Sequence, residues 1–148
     1  MNVPGPFYTV DPDSLFLASL TAPRHVGVDD QHCDVVYRQP ITSAEWARME
    51  DVATSDPMAS FEMDGCAFWT RASVTEWRSS VPRIVRHIET RLLSPQWWRH
   101  DEERPIGRLI AASWLQFVAN ELDDYLARFA MYLDGGRWPG TSDALLEL

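Results

Sequence analysis

Three carboxylates in the C-terminal third, Glu121, Asp123 and Asp124, are the side chains best spaced to do chemistry. Glu121 and Asp124 stand three positions apart and share one face of a helix, where such a pair can act as general acid and base or ligate a hard cation. The plainer reading is a solvated or ion-paired helix face, with the arginines of segment 83–91 as candidate partners, and a third is a surface on which another protein docks. His100 and Glu103 also have ligand spacing. A zinc centre needs three or four donors, however, and no further ligand stands at readable distance, so neither metal nor cofactor is expected. His87 and Glu89, two residues apart, diverge by about 200° on a helix. His32 and Cys33 suggest a base beside a thiol nucleophile, but neighbours on a strand face opposite ways and do not easily share a proton. No Gly-rich phosphate loop, GxSxG elbow, HExxH or P-loop occurs. The residues therefore point away from an enzyme.

Seven tryptophans form the second unusual set. Trp46, Trp69 and Trp114 fall on apolar periodicities and are expected in the core. Trp77, Trp97, Trp98 and Trp138 do not. Trp97 and Trp98 are successive and diverge by about 100° on a helix, so one core does not readily bury both. Exposed indoles beside charge are what interface hot spots look like. Glu121, Asp123, Asp124, Trp97 and Trp98 are therefore the candidate partner-binding residues.

These side chains hang on a long helical stretch over 105–136. Pro105 suits a first helical turn, Gly135 and Gly136 stop it, and Ile106, Ile110, Trp114, Phe117, Val118, Leu122, Tyr125, Phe129 and Leu133 recur at three- and four-residue steps. About 28 residues at 1.5 Å each span roughly 40 Å, a spine against which the rest must pack. Upstream, Thr42 and Glu45 form a capping box with Ile41 and Trp46 as its hydrophobic staple, opening a helix that holds through Val52 or Ala53 and ends before Asp56-Pro57. Segment 61–69, with Asp64-Gly65 as a type I′ turn, predicts a hairpin in which Met63 faces Cys66 and Phe61 faces Phe68. Segment 33–38 adds a third antiparallel strand, and 24–31 reads as a surface loop. Pro82 in a first turn, capped by Ser79 or Ser80, starts a helix with the stripe Val81, Ile84, Val85, Ile88 and Leu92. Ser94-Pro95 starts another short helix, Asp11-Pro12-Asp13-Ser14 caps one that includes Leu17 and Leu20, and Ser142 or Asp143 caps a last turn. Residues 1–12 are expected to wrap over the core. The fold class is α+β, helix-predominant: a small antiparallel sheet or hairpin packed against a long C-terminal helix, with two or three shorter helices, in one domain over 1–148.

Charge and composition bound the function. A net charge of −9 disfavours nucleic acid and membrane surfaces as partners, both of which call for a positive face. The charge is uneven: residues 1–70 carry −8, 71–108 carry +3 and 109–148 carry −4, an arginine island between acidic flanks. No stretch resembles a secretion signal or a membrane span, and two cysteines are too few for a disulfide framework, although a bridge between Cys33 and Cys66 would follow if their strands paired. A cytoplasmic protein is expected. The leading functional reading is an immunity-type inhibitor that neutralises a basic bacterial toxin or effector by protein–protein interaction. The second is a small enzyme or ligand binder with a pocket between sheet and spine that holds Glu121, Asp124 or His87. The third is a self-assembling subunit, for instance a homodimer, in which the arginine island of one copy meets the acidic flanks of another.

Overall fold

The computed structural model describes residues 1–10, 17–98 and 100–139. Strands β1 (Tyr8–Thr9), β2 (Val26–Val28), β3 (Asp34–Val36) and β4 (Phe61–Glu62) are interleaved with helices α1 (Leu17–Thr21), α2 (Ser43–Ser55), α3 (Arg71–Arg78), α4 (Val81–His87), α5 (Arg104–Asn120) and α6 (Leu122–Gly135). Helix predominates over short antiparallel strands, an α+β fold. No described helix is long and apolar enough to cross a membrane.

The C-terminal helical stretch spans the anticipated range but is interrupted at Glu121, whose φ of −123° and ψ of −26° lie outside the helical well. No glycine or proline marks the break. The cause is where the apolar stripe leads: Gly107, Ile110, Trp114 and Phe117 are buried along α5, and the next position in that series is Glu121. The change of direction re-aims α6 so that Leu122, Tyr125, Leu126, Phe129 and Ala130 face the core, while Glu121 stays half-buried and accepts from Arg38 Nη2 at 3.0 Å. The helical hydrogen bonds Glu121 N–H to Phe117 O and Tyr125 N–H to Glu121 O, both 2.9 Å, survive on either side.

The sheet differs more. The hairpin is β2–β3, with Val26 opposite Val36 and Val28 opposite Asp34, so the segment expected as a surface loop contributes a wholly buried strand. Asp29 closes its turn by accepting from the N–H groups of Gln31 (2.8 Å) and Cys33 (3.0 Å). Asp64-Gly65 makes no hairpin; 65–67 is a 3₁₀ turn leading to α3, and β4 pairs instead with β1. The glycine serves a close approach, since Gly65 N–H donates to Pro6 O at 2.9 Å and a Cβ there would sit 2.2 Å from Gly5 O. Two two-stranded pieces thus replace one three-stranded sheet. Cys33 and Cys66 lie in segments that do not pair and are not bridged.

Other local signals hold. Thr42 Oγ1 accepts from Glu45 N–H while the Glu45 carboxylate accepts from Thr42 N–H, the anticipated capping box. Its staple does not form: Ile41 is exposed and the Trp46 ring packs on Phe7 at 4.9 Å. Pro82 lies in the first turn of α4 with Ser80 at its cap, and α4 passes into a π turn over Ile88–Leu92. In α1 the buried residues are Ala18 and Ser19, with Leu17 and Leu20 exposed, the reverse of a leucine-driven face. The caps expected at 11–14 and at 142–143 fall outside the described residues. Segment 1–10 wraps as anticipated, burying Val3 and Phe7.

The core has two parts. The larger joins α4, α5, α6 and the hairpin around Ile88, Ile110, Trp114, Leu126 and Phe129; the smaller joins α1, α2 and β4 around Phe7, Val36, Met49 and Val52. Two histidines are buried in this framework. His87 Nε2 donates to Val28 O (2.8 Å), and His25 Nδ1 lies 3.0 Å from Arg38 O. Burial holds both imidazoles below the usual histidine value, outweighing the hydrogen bonds and nearby carboxylates that push the other way. In the unfolded chain both return to about 6.5, so below that pH the unfolded state binds protons that the native state refuses, and stability falls as pH drops towards the folded-state values. The urea midpoint is therefore expected to be lower at about pH 5.5 than at about pH 7.5, and the pH dependence is expected to shrink in His87→Gln. Equal midpoints would show that the imidazoles charge freely in the fold. Glu45 and Asp56, held below the carboxylate range by hydrogen bonds that overcome their burial, add the same trend only at lower pH.

Candidate functional site

On α6, Tyr125, Phe129 and Tyr132 follow at i, i+4 and i+7 and form one row of nearly parallel rings, with centroids 6.1 Å apart at each step. Gly136 then reverses the chain in the left-handed conformation (φ 66°), which an L side chain adopts at a cost, and its N–H donates to Tyr132 O at 2.7 Å. The reversal lays Trp138 across the row, 5.9, 6.5 and 6.1 Å from the three rings. Arg128 holds the returning segment: its Nη1 donates to Pro139 O (3.4 Å) while Nε and Nη2 grip Asp124 at 2.8 and 3.2 Å.

Pro6, Gln39, Pro40, Ile41 and Trp46 face this row from the N-terminal segment and the start of α2, with Cys66 also lining the space, and together they line a half-open cavity of about 330 Å³. A contiguous depression of about 480 Å³ shares Gln39, Ile41, Tyr125 and Trp138 with it and ends at Arg38, Glu121, Asp124 and Arg128. Together they form one groove, aromatic at one end and charged at the other, in the size range of a ligand pocket or of a slot for one partner side chain. Trp138 is 42% exposed and Ile41 61%, so the groove offers apolar surface to solvent. Its interior polar groups are occupied. The Tyr125 hydroxyl donates to Pro4 O at 2.7 Å, and burial raises its pKa. Gln39 is bonded to Val3 and Phe7, and burial pushes the Cys66 thiol up, away from the thiolate. At the charged end Arg38 spans Glu121 (3.0 Å) and Glu45 (3.8 Å). The arrangement supplies ring faces and carboxylates for binding.

The candidate residues named from the sequence divide. Glu121 and Asp124 do share a face and both line the groove. Asp123 faces elsewhere, in a separate depression with Arg78, whose Nε it accepts at 2.9 Å. The arginines that pair with these three acids are Arg38, Arg128 and Arg78, not those of 83–91. Arg71 and Arg78 of α3 meet Asp134 and Asp123 of α6, so part of the arginine island is balanced within the chain. Trp98 is a core residue, 6% exposed, with Nε1 donating to Leu92 O at 3.0 Å. Residues 95–97 form a turn and Trp98 follows it outside any helix, which frees the two indoles from helical divergence. Trp97 is half-buried, stacked on His32 at 4.0 Å with the Arg91 guanidinium 5.4 Å from its ring. Gly107, against Trp98, and Glu121 stand fourteen positions apart along α5 and its cap, a rise of about 20 Å. Trp97 and Trp98 thus do not share a patch with the acids, and Trp138 does. Trp46, expected in the core, lines the groove at 37% exposure.

His87 is a core histidine outside the groove, and His100 with Glu103 caps a helix start, His100 N–H donating to Glu103 Oε2 at 3.2 Å. His32 and Cys33 diverge: the imidazole lies on Trp97 while Cys33 Sγ contacts Gln31 O at 3.6 Å. Among the described residues no three His, Cys, Asp or Glu side chains converge to hold a metal ion. What sequence reasoning missed is Trp138, Tyr132, Ile41 and Gln39. The signal was present for the first two, as an aromatic i, i+4, i+7 row ending in Gly-Gly and then tryptophan. No protein-family model matches the chain, and no curated protein and no solved structure compared with it matches either.

Proposed function

We propose that this chain is a binding protein that docks a partner with a basic surface, an inhibitor of the immunity kind acting on a toxin or effector, and that the aromatic groove is its contact face. The observation that carries the reading is that Glu121 and Asp124 line the same groove as an exposed indole, Trp138. Rings and carboxylates side by side are the composition of an interface hot spot for a cationic partner. A net charge of −9 supports it, because a field of that sign accelerates encounter with a positive surface. The ion pairs at the rim do not oppose docking: Arg38 and Arg128 are largely buried, while the Glu121 and Asp124 side chains keep 40% and 53% of their surface exposed, so a partner reaches the carboxylates from the solvent side without displacing their arginines.

Mixing the chain with basic toxins encoded beside its gene, followed by calorimetry, tests the reading. A complex is expected whose affinity falls about 10- to 100-fold in Trp138→Ala combined with Glu121→Lys, and whose association slows as salt rises. Failure of every such toxin to bind, or a complex indifferent to both changes and to salt, would remove it. The aromatic end, a half-open cavity of about 330 Å³, favours as a second reading a small ligand held between Trp46 and α6. Thermal stabilisation by a small aromatic or cationic compound, without any protein partner, would select that reading.

A further inference from the structure

We infer that the groove is built for an arginine side chain of the partner, its guanidinium lying on the exposed ring of Trp138, which lines both parts of the groove, and its N–H groups reaching Glu121 and Asp124. The inference rests on the reading of the groove as a contact face and specifies the chemistry it selects.

Of the charged side chains that line the groove, Glu121 and Asp124 balance Arg38 and Arg128, and Glu45, paired to the same Arg38 outside the lining, tips the neighbourhood negative in a protein already at −9. An anionic occupant is disfavoured. The chemistry of the walls then separates the cations. Beside the rings the polar groups of Gln39 and Tyr125 are committed to Val3, Phe7 and Pro4, so a group lying there meets π faces and apolar carbon. A lysine ammonium is compact and strongly hydrated and would shed water there without replacing its hydrogen bonds. A guanidinium is planar and weakly hydrated, stacks on rings and keeps its N–H groups in plane for a carboxylate fork. The rim carboxylates already receive guanidiniums, Asp124 through a two-point grip by Arg128 and Glu121 at 3.0 Å from Arg38. An incoming arginine thus joins groups of its own kind, on the solvent side of carboxylates that are 40% and 53% exposed.

The probe is blocked arginine (acetylated at the amine and amidated at the carboxyl), titrated into the ¹⁵N-labelled chain beside blocked lysine and blocked citrulline. Citrulline keeps the shape and removes the charge. Trp138 and Trp46 indole N–H resonances, assigned with Trp138→Phe and Trp46→Phe, are expected to move saturably with arginine, about 5- to 10-fold more weakly with lysine and negligibly with citrulline. Glu121→Gln is expected to weaken arginine binding about 3- to 10-fold, and Trp138→Ala at least as much. Both residues are partly exposed, and unchanged circular dichroism would certify that each variant is folded. Slower alkylation of Cys66 in the presence of arginine gives an independent readout, because that thiol lines the cavity. Equal responses to arginine and citrulline, or shifts confined to other indoles, would overturn the inference. The two ideas fail separately. A basic protein that binds through the groove while blocked arginine does not would leave the function standing and remove its arginine specificity. Arginine binding without any protein partner would do the opposite.

Discussion

Gln39→Leu is expected to lower stability by about 4–6 kcal/mol, because it strands three backbone groups at about 1–3 kcal/mol each. The Gln39 side chain is buried and acts as a surrogate strand: Oε1 accepts from Phe7 N–H at 3.1 Å, and Nε2 donates to Phe7 O at 2.7 Å and Val3 O at 3.2 Å. The N-terminal segment passes so close over it that a Cβ on Gly5, whose φ is 154°, would meet Gln39 carbons at 2.4 Å. Leucine approximates the volume and offers none of the bonds. Against a total stability of about 5–15 kcal/mol for a domain, the loss is a large fraction. Urea denaturation gives the magnitude, and hydrogen exchange at the Phe7 amide gives the place: it should approach the unprotected rate in the variant while Leu126 in α6 remains protected. A loss under about 1 kcal/mol would mean that water or a shifted backbone satisfies these groups. Function follows, since Pro6 is one wall of the groove and the segment carrying it is tied down by this side chain.

Gly107→Ala should destabilise by about 3 kcal/mol although alanine is the better helix former by about 1 kcal/mol. The new Cβ would lie 2.1 Å from two atoms of the Trp98 ring and 2.6 Å from its Nε1. Trp98 has little room to yield, because it is buried and its indole N–H is bonded to Leu92 O, at the end of the π turn. The substitution must therefore push segment 95–98 away from α5 or tear that bond. A drop in melting temperature, together with a red-shifted tryptophan emission as Trp98 becomes wet, would report it. An unchanged or raised melting temperature would show that the close fit of Trp98 to α5 is dispensable. The same result would reopen Trp98 as a surface residue.

Much of the helical framework was legible because its signals are local. The Thr42–Glu45 box, Pro82 in a first turn and the Gly135-Gly136 stop each act through neighbours within four residues, and each does so in the folded chain. The strands were less legible. Asp64-Gly65 satisfies the local rule for a hairpin turn, yet β4 pairs with β1, more than fifty residues away in sequence, because Gly65 is needed where the backbone of Gly5 and Pro6 comes close. Likewise Val26–Val28 has too short a pattern to announce a strand until Asp34–Val36 lies beside it.

The candidate site divides along the same line. Glu121 and Asp124 were placed on one face by helical spacing, and they remain there. Whether their charge stands open depends on Arg38 and Arg128, and Arg38 arrives from another element. By itself the sequence determined a helix-rich α+β chain, strongly acidic and rich in indoles, with its helix ends at marked positions; periodicity, capping and net charge need no knowledge of distant contacts. Only the tertiary structure decided which tryptophans are wet, where the long helix turns and that Trp138 joins Glu121 and Asp124 along one groove. Those outcomes come from side chains far apart in the chain competing for the same volume and the same hydrogen-bond partners.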